Sequence, residues 1–253
     1  MLKKRYSHEK EFFDKHASRV LDTTQNFKIA NLSTYEDLFE KIDYLKPIID
    51  FWGDISNKKV LDLACGDGWL SLNLAKSGAK VYGFDVSPQK IELARKYAKE
   101  NGLDERVTFD VMTSENLTYE DNFFDFAIMH AALHHCDIEK TSKQIHRVLK
   151  PGGKAVLIED YAYHPIMNLY RMLTPGKHTA DEKALDDNDL KNFVSGFSSY
   201  SYQYYGLLNL FETSNNKLIC KIKPFLKAID SFLYSTFPFT KKYSKLVEIF
   251  VIK

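Results

Sequence analysis

From residue 58 to residue 160 the chain alternates short apolar runs with amphipathic segments, and this rhythm restricts the fold more than any other feature. Residues 60–63, 80–85, 107–111, 124–129 and 155–159 read as strands. Helices are expected at 69–76, from Pro88 to Asn101-Gly102, and along Ile138, Ile145, Val148 and Leu149. Ser87 is a suitable N-cap and Pro88 a suitable first helical residue, while Gly102 supplies a stop. The last of these helices is expected to end at Lys150-Pro151-Gly152-Gly153. Strands spaced by helices pair in parallel and are covered on both faces.

The flanks are less regular. Before residue 58, Phe12, Phe13, Ala17 and Val20 recur at helical spacing, as do Leu38, Ile42 and Leu45, with a restart at Pro47. After residue 160 a helix is expected behind Pro165, and a short one at 187–194 capped by Asp187 or Asn188. A Tyr-rich sixth strand with a helical stretch is expected within 197–211, and a last strand at 246–252.

Composition narrows the function classes. The 253 residues carry 35 Lys plus Arg against 34 Asp plus Glu, so the net charge of +1 offers no global attraction to nucleic acid. Cys65, Cys136 and Cys220 are far apart, an odd set without zinc or iron–sulfur spacing, and no metal site is expected. Reduced thiols suit a cytoplasmic location. The basic N-terminus lacks the apolar run of a secretory signal, and nothing approaches the roughly 18 apolar residues of a bilayer span.

The turn after the first strand carries the chemistry. In Asp62-Leu63-Ala64-Cys65-Gly66-Asp67-Gly68 the glycines allow a tight turn and close approach of a ligand to the main chain. A dinucleotide loop would have a third glycine where Ser71 stands, and Asp62 and Asp67 would repel a pyrophosphate. They suit a cationic ligand instead. Asp85, closing the second strand, can accept hydrogen bonds from both hydroxyls of a ribose.

The segment 60–68 resembles the first motif of the class I S-adenosylmethionine-dependent methyltransferases. Further resemblances follow in order: Gly83-Phe84-Asp85-Val86-Ser87, Phe123-Phe124-Asp125-Phe126-Ala127, Ala132-Leu133-His134-His135, and Arg147-Val148-Leu149-Lys150-Pro151-Gly152-Gly153. They cover about residues 58–160. The resemblance implies an α/β, Rossmann-like, seven-stranded and mostly parallel sheet with helices on both faces, N-terminal helices and an insertion after strand five. It implies three parts of one domain: residues 1–57 as acceptor cover, 58–160 as S-adenosylmethionine-binding core, and 161–253 as acceptor lid, last strands and basic helix. Asp62, Ala64, Cys65, Gly66 and Gly68 would surround the methionine end of the cofactor, and Asp85 the ribose. Val86 would pack on adenine. Thr113, Ser114 and Glu115 stand where the family commonly has an acidic residue for the adenine amino group. His130 would lie near the cofactor carboxylate and the transferred methyl.

Methyl transfer from a sulfonium is a displacement that needs alignment and, for a hydroxyl acceptor, a base. Candidates cluster after strands four and five: His130, His134, His135, Asp160, Tyr161 and His164. His130 and His164 are the stronger candidates for the reacting end, with His134 a third. The His134-His135 doublet is frequent in the family, where one member is often structural. Glu159 and Asp160 are adjacent, so on a strand they face opposite ways and make a poor metal pair. A small-molecule O or N acceptor is expected, C being a lesser case. A protein or RNA methyltransferase, or a non-catalytic cofactor-binding scaffold, is the alternative.

An apolar acceptor lid is expected from Tyr161, Tyr163, Met167, Tyr170, Met172, Phe193, Phe197 and residues 200–205, with His178 in a polar segment able to fold over it. Core packing is the competing use of these aromatics. Residues 215–253 hold eight Lys against Asp230 and Glu248, net +6, which leaves residues 1–214 at −5. Leu218, Ile219, Ile222, Phe225, Leu226, Ile229, Phe232 and Leu233 form a helical stripe there. Packing on its own domain or on a twin subunit is the expected use of that helix, with an anionic membrane surface as the alternative.

Overall fold

The computed structural model describes residues 14, 34–40, 42–174, 183–210 and 216–253. The expected helix through Phe12 and Val20 lies outside the described residues, as do His178 and Phe211. The elements are α1 (Tyr35–Phe39), α2 (Lys46–Trp52), β1 (Lys59–Leu63), α3 (Trp69–Lys76), β2 (Lys80–Asp85), α4 (Pro88–Glu100), β3 (Val107–Val111) and β4 (Phe124–His130). There follow α5 (Ile138–Val148), β5 (Leu149–Asp160), α6 (Pro165–Leu173), α7 (Asp187–Val194), β6 (Ser199–Tyr205), α8 (Lys217–Thr236) and β7 (Leu246–Ile252). The seven strands make one sheet in the order β3-β2-β1-β4-β5-β7-β6. The first five are parallel, and β7 runs antiparallel between β5 and β6. The expected seven-stranded, mostly parallel sheet is therefore present.

The near-continuous apolar strands follow from burial on both faces. Val60, Ile128 and Val156 pack with Tyr35, Phe39, Ile48, Trp52 and Leu74 on one face. Their neighbours Leu61, Met129 and Leu157 pack with Ile145, Val148 and Phe193 on the other. Ser87 caps α4 as expected, accepting from the Lys90 N–H with Pro88 next in line. The chain steps outward from β1 to β3, then returns to place β4 beside β1. Such a reversal opens a crevice at the carboxyl ends of those two strands. Each strand is followed there by a non-glycine residue in the left-handed region, Ala64 (φ 55°) after β1 and Ala131 (φ 51°) after β4.

Several boundaries differ from expectation. α1 stops at Phe39 and residues 42–45 form turns, so Leu38, Ile42 and Leu45 do not share a helix. α5 ends at Val148, because Pro151 disfavours helix at Lys150. Leu149 already opens β5, and residues 150–153 bulge out between the pairs Phe124–Leu149 and Phe126–Lys154. The α7 cap is Asp186, not Asp187 or Asn188. Its carboxylate accepts from the Asn188 and Asp189 N–H groups, while the Asp189 side chain accepts from the Asp186 N–H. β6 ends at Tyr205 without a helix in 206–210.

Gly83 explains how the glycine loop lies so close to β2. A Cβ there would stand 2.8 Å from the Phe109 ring and 3.0 Å from Cys65 Sγ. Gly83→Ala is expected to lower the unfolding free energy by about 1–3 kcal/mol. A urea denaturation midpoint equal to that of the parent would contradict this packing.

Candidate active site

The crevice is built from the β1 turn outward. Gly66 (φ 57°) and Gly68 (φ 81°) take left-handed conformations that other residues rarely adopt. At Gly68 a Cβ would also meet Phe109 at 2.9 Å. Asp85 holds the turn in place: Oδ2 accepts from the Gly66 N–H at 3.0 Å and Oδ1 from the Ser87 N–H at 2.9 Å. Each of its oxygens keeps a further lone pair for a ligand hydroxyl. Beside Asp85, the Ser87 hydroxyl donates to Asp14. Asp62 is 2% exposed and accepts from Ser71 Oγ at 2.5 Å.

Burial pushes the Asp62 carboxyl up to about 7; the Asp85 charge adds to this and the Ser71 hydroxyl opposes it. Burial also raises Asp85, against Lys90 and the two backbone N–H groups. Two buried carboxyls whose ionisation is disfavoured are complementary to a cation, and a pyrophosphate would worsen their state. The residues present thus suit a ligand with an ammonium or sulfonium at Asp62 and hydroxyls at Asp85.

Next to this crevice lies a cavity of about 500 Å³. His130 and Ala131 from the end of β4 line it, with Ile158 and Asp160 from β5. Asp43, Tyr44 and Pro47 close one side; Tyr204, Tyr205, Asp230 and Tyr234 close another. Strand alternation explains the grouping, since Asp62, His130 and Asp160 all point to the same face of the sheet. The His130 ring opens onto the cavity and stacks on Tyr44, with centroids 6.0 Å apart at 25°. The surrounding protein disfavours the imidazolium and holds the His130 pKa below the ordinary 6.5, against the charges of Glu159 and Asp160.

The family model described as a methyltransferase domain matches residues 60–153. The match begins in β1 and ends in the bulge of β5, enclosing the glycine turn, Asp85 and His130. Residues 60–153 thus carry a methyltransferase domain. Norajmaline N-methyltransferase of Rauvolfia serpentina is 33% identical over 132 residues, which are 51% of this chain and 45% of that protein. Methyltransferase GfsG of Streptomyces halstedii is 33% identical over 126 residues, covering 49% and 42%. The chain thus spans less than half the length of these two curated relatives. The crystal structure of the [4+2]-cyclase SpnF superimposes with a TM-score of 0.55 at 18% identity, covering 83% of this chain and 82% of that one. That likeness concerns the fold alone.

Within the methyltransferase domain, the remaining candidates separate into site and scaffold. Ala64 is in the turn, and Val86 is half-buried directly after Asp85. The Cys65 side chain points inward at Gly83 and Phe109, and burial raises its thiol, so only its backbone belongs to the turn. Ser114 is buried and Thr113 half-buried beyond β3. Glu115 Oε1 accepts from the Asp137 N–H at 2.7 Å, which ties the β3–β4 connection to the start of α5. That bond gives Glu115 a scaffold role the sequence did not reveal.

Two of the three histidine candidates are corrected. His164 is buried as the N-cap of α6: Nδ1 accepts from the Met167 N–H at 3.2 Å and Nε2 lies 3.0 Å from the Leu207 carbonyl. With both nitrogens engaged and the ring outside the cavity lining, it is not placed to take a proton from an acceptor. Its position before Pro165 was the available signal, since proline favours the first helical place. His134 Nδ1 lies 2.7 Å from Glu159 Oε2, on the sheet face opposite Asp160. Glu159 Oε1 also accepts from the N–H groups of Ala132 and Leu133. The cluster fixes the turn that follows Ala131. Glu159→Ala, which strands these buried donors, is expected to cost about 3 kcal/mol of stability by chemical denaturation; a loss under about 1 kcal/mol would refute the role.

The aromatic lid is likewise redistributed. Tyr161, Phe193 and Phe197 are core, Tyr170, Met172 and Tyr200 are exposed, and among the described residues expected to form the lid only Tyr204 and Tyr205 line the cavity. Tyr44 and Tyr234 were not anticipated. On the same sheet face, Glu248 is wholly buried and its oxygens make no well-formed hydrogen bond, the Tyr205 hydroxyl beside it donating to Gln203 at 2.7 Å. Burial raises its pKa from 4.5 to about 9. The folded chain therefore retains a proton that the unfolded chain releases near 4.5. The associated stability is full below that pH and is lost as pH rises through 9. Glu248→Gln should thus be more stable than the parent, by a margin that grows by up to about 1.4 kcal/mol per pH unit from about pH 5 to 9. Parallel stability curves for the two proteins would contradict a buried neutral Glu248.

Proposed function

We propose that the protein transfers the methyl group of S-adenosylmethionine to an oxygen or nitrogen of a small organic molecule. The observation that carries this reading is the open cavity of about 500 Å³ lined by His130, adjoining the Asp62–Gly68–Asp85 crevice. A cavity of this size suits a small organic acceptor. S-adenosylmethionine supplies, when bound, a methyl carbon made electrophilic by its sulfonium. Asp62 would hold its ammonium and Asp85 its ribose hydroxyls, with Val86 and Ser114 toward the adenine.

The acceptor is aligned in the tyrosine-walled cavity. The tyrosine walls would align its oxygen or nitrogen with that methyl carbon. Neutral His130 receives the acceptor proton, and Asp160, held through Oδ2 by Arg171 at 2.8 Å, favours the resulting imidazolium. Because a [4+2]-cyclase shares the fold, the reaction is tested by turnover rather than by shape. Saturable binding of S-adenosylmethionine in calorimetry is expected, followed by S-adenosylhomocysteine formation only when a small-molecule extract is added. Absence of binding would overturn the cofactor assignment. Equal product with and without extract would overturn the acceptor assignment.

A further inference from the structure

α8 leaves half of the stripe it carries exposed. Its only buried residue is Asp230, while Leu218 is 70% exposed, Phe225 68% and Phe232 60%. With Ile222, these side chains share one face at helical spacing. The packing expected from the sequence is made by the other half of the stripe, where Ile219, Leu226, Ile229 and Leu233 are half-buried and Asp230 beside them is buried.

The charge bordering the exposed face is basic. Lys217 and Lys221 flank it, and Lys241 and Lys242 are exposed just beyond the helix, Lys242 standing 3.5 Å from the Asp187 carboxylate. The only side-chain carboxylates in residues 216–253, Asp230 and Glu248, are both buried. A two-fold contact through this face would set lysines against lysines, whereas an anionic surface would neutralise them. A second helix presents similar groups nearby: on α6, Ile166, Leu169 and Met172 are more than half exposed. The two helices meet at the 207–209 loop, held by His164 from one side and by Asp230 from the other.

We propose that this face of α8 docks on an anionic lipid surface, lying in the headgroup plane with Leu218, Ile222, Phe225 and Phe232 inserted. No helix among the described residues is long and apolar enough to cross a membrane, so the contact is peripheral. Lys227, Asp230, Ser231 and Tyr234 line the cavity from the opposite side of the same helix, so docking leaves the cavity side of α8 turned away from the lipid. The inference goes beyond methyl transfer and rests on exposure and charge alone.

The test is cosedimentation of the full chain with vesicles of phosphatidylcholine, with and without about one-third phosphatidylglycerol. Binding is expected only to the anionic vesicles, weakening at least about tenfold between roughly 0.05 and 0.5 M salt. The pairs Phe225→Ser with Phe232→Ser, and Lys217→Gln with Lys221→Gln, should each weaken it about tenfold with unchanged melting temperature. No binding to anionic vesicles at low salt would overturn the proposal, as would binding by both variants equal to that of the parent. A dimer in sedimentation equilibrium that Phe225→Ser dissociates, without vesicle binding, would assign the face to a second copy instead.

Discussion

Replacing His130 by Ala is expected to lower kcat by about 10²- to 10⁴-fold, the usual contribution of a positioned general base. The Kd for S-adenosylmethionine should change by less than about threefold, because His130 opens onto the acceptor cavity and not onto the Gly66–Asp85 contact. The pH profile gives a second readout. Protein mass around the ring holds its pKa below 6.5, so the neutral, proton-accepting form persists to lower pH. The acid limb of kcat/KM should accordingly fall below pH 6.5. It should disappear in His130→Ala. Tyr44→Ala, which removes the stacking partner of the ring, should lower kcat by a smaller factor of about ten. Unchanged turnover in His130→Ala would reduce the residue to a cavity wall.

Asp85→Ala should raise the Kd for S-adenosylmethionine by about 100-fold or more. Hydrogen bonds to a charged acceptor contribute about 1.5–3 kcal/mol each, and this carboxylate would receive two ribose hydroxyls. It also receives the Gly66 and Ser87 N–H groups, so its removal loosens the turn as well. Asp85→Asn separates the two effects. It retains a carbonyl oxygen for one backbone donor but loses the charge, and should weaken binding about tenfold with less disturbance of the turn. Titration calorimetry that finds Asp85→Ala equal to the parent would remove the crevice from the account.

The core of the domain was legible because local signals agreed with one another. Ser87-Pro88, Gly66, Gly68 and the position of Asp85 each report backbone geometry or capping within a few residues. Alternation likewise separated Glu159 from Asp160, which face His134 and Arg171 respectively. The cavity beside His130 was much less legible. Its walls come from Tyr44, His130, Asp160, Tyr205 and Asp230, which are far apart in the chain and share no periodicity. Polar residues in a row made the α7 cap ambiguous, since Asp186, Asp187 and Asn188 are all able to cap and only the fold selects Asp186. His164 shows the opposite error: a cap beside proline was read as chemistry. For α8, composition showed the basic amphipathic stripe, but only the structure shows that half of it faces outward.

The central claim is that the methyl group passes to a small molecule held beside His130. Incubation of the protein with methyl-labelled S-adenosylmethionine and a whole-cell extract, then separation into protein, RNA and small-molecule fractions, tests it directly. The account predicts label in the small-molecule fraction alone, and none there with His130→Ala. Label in protein or RNA, or no transfer despite saturated cofactor binding, would contradict it.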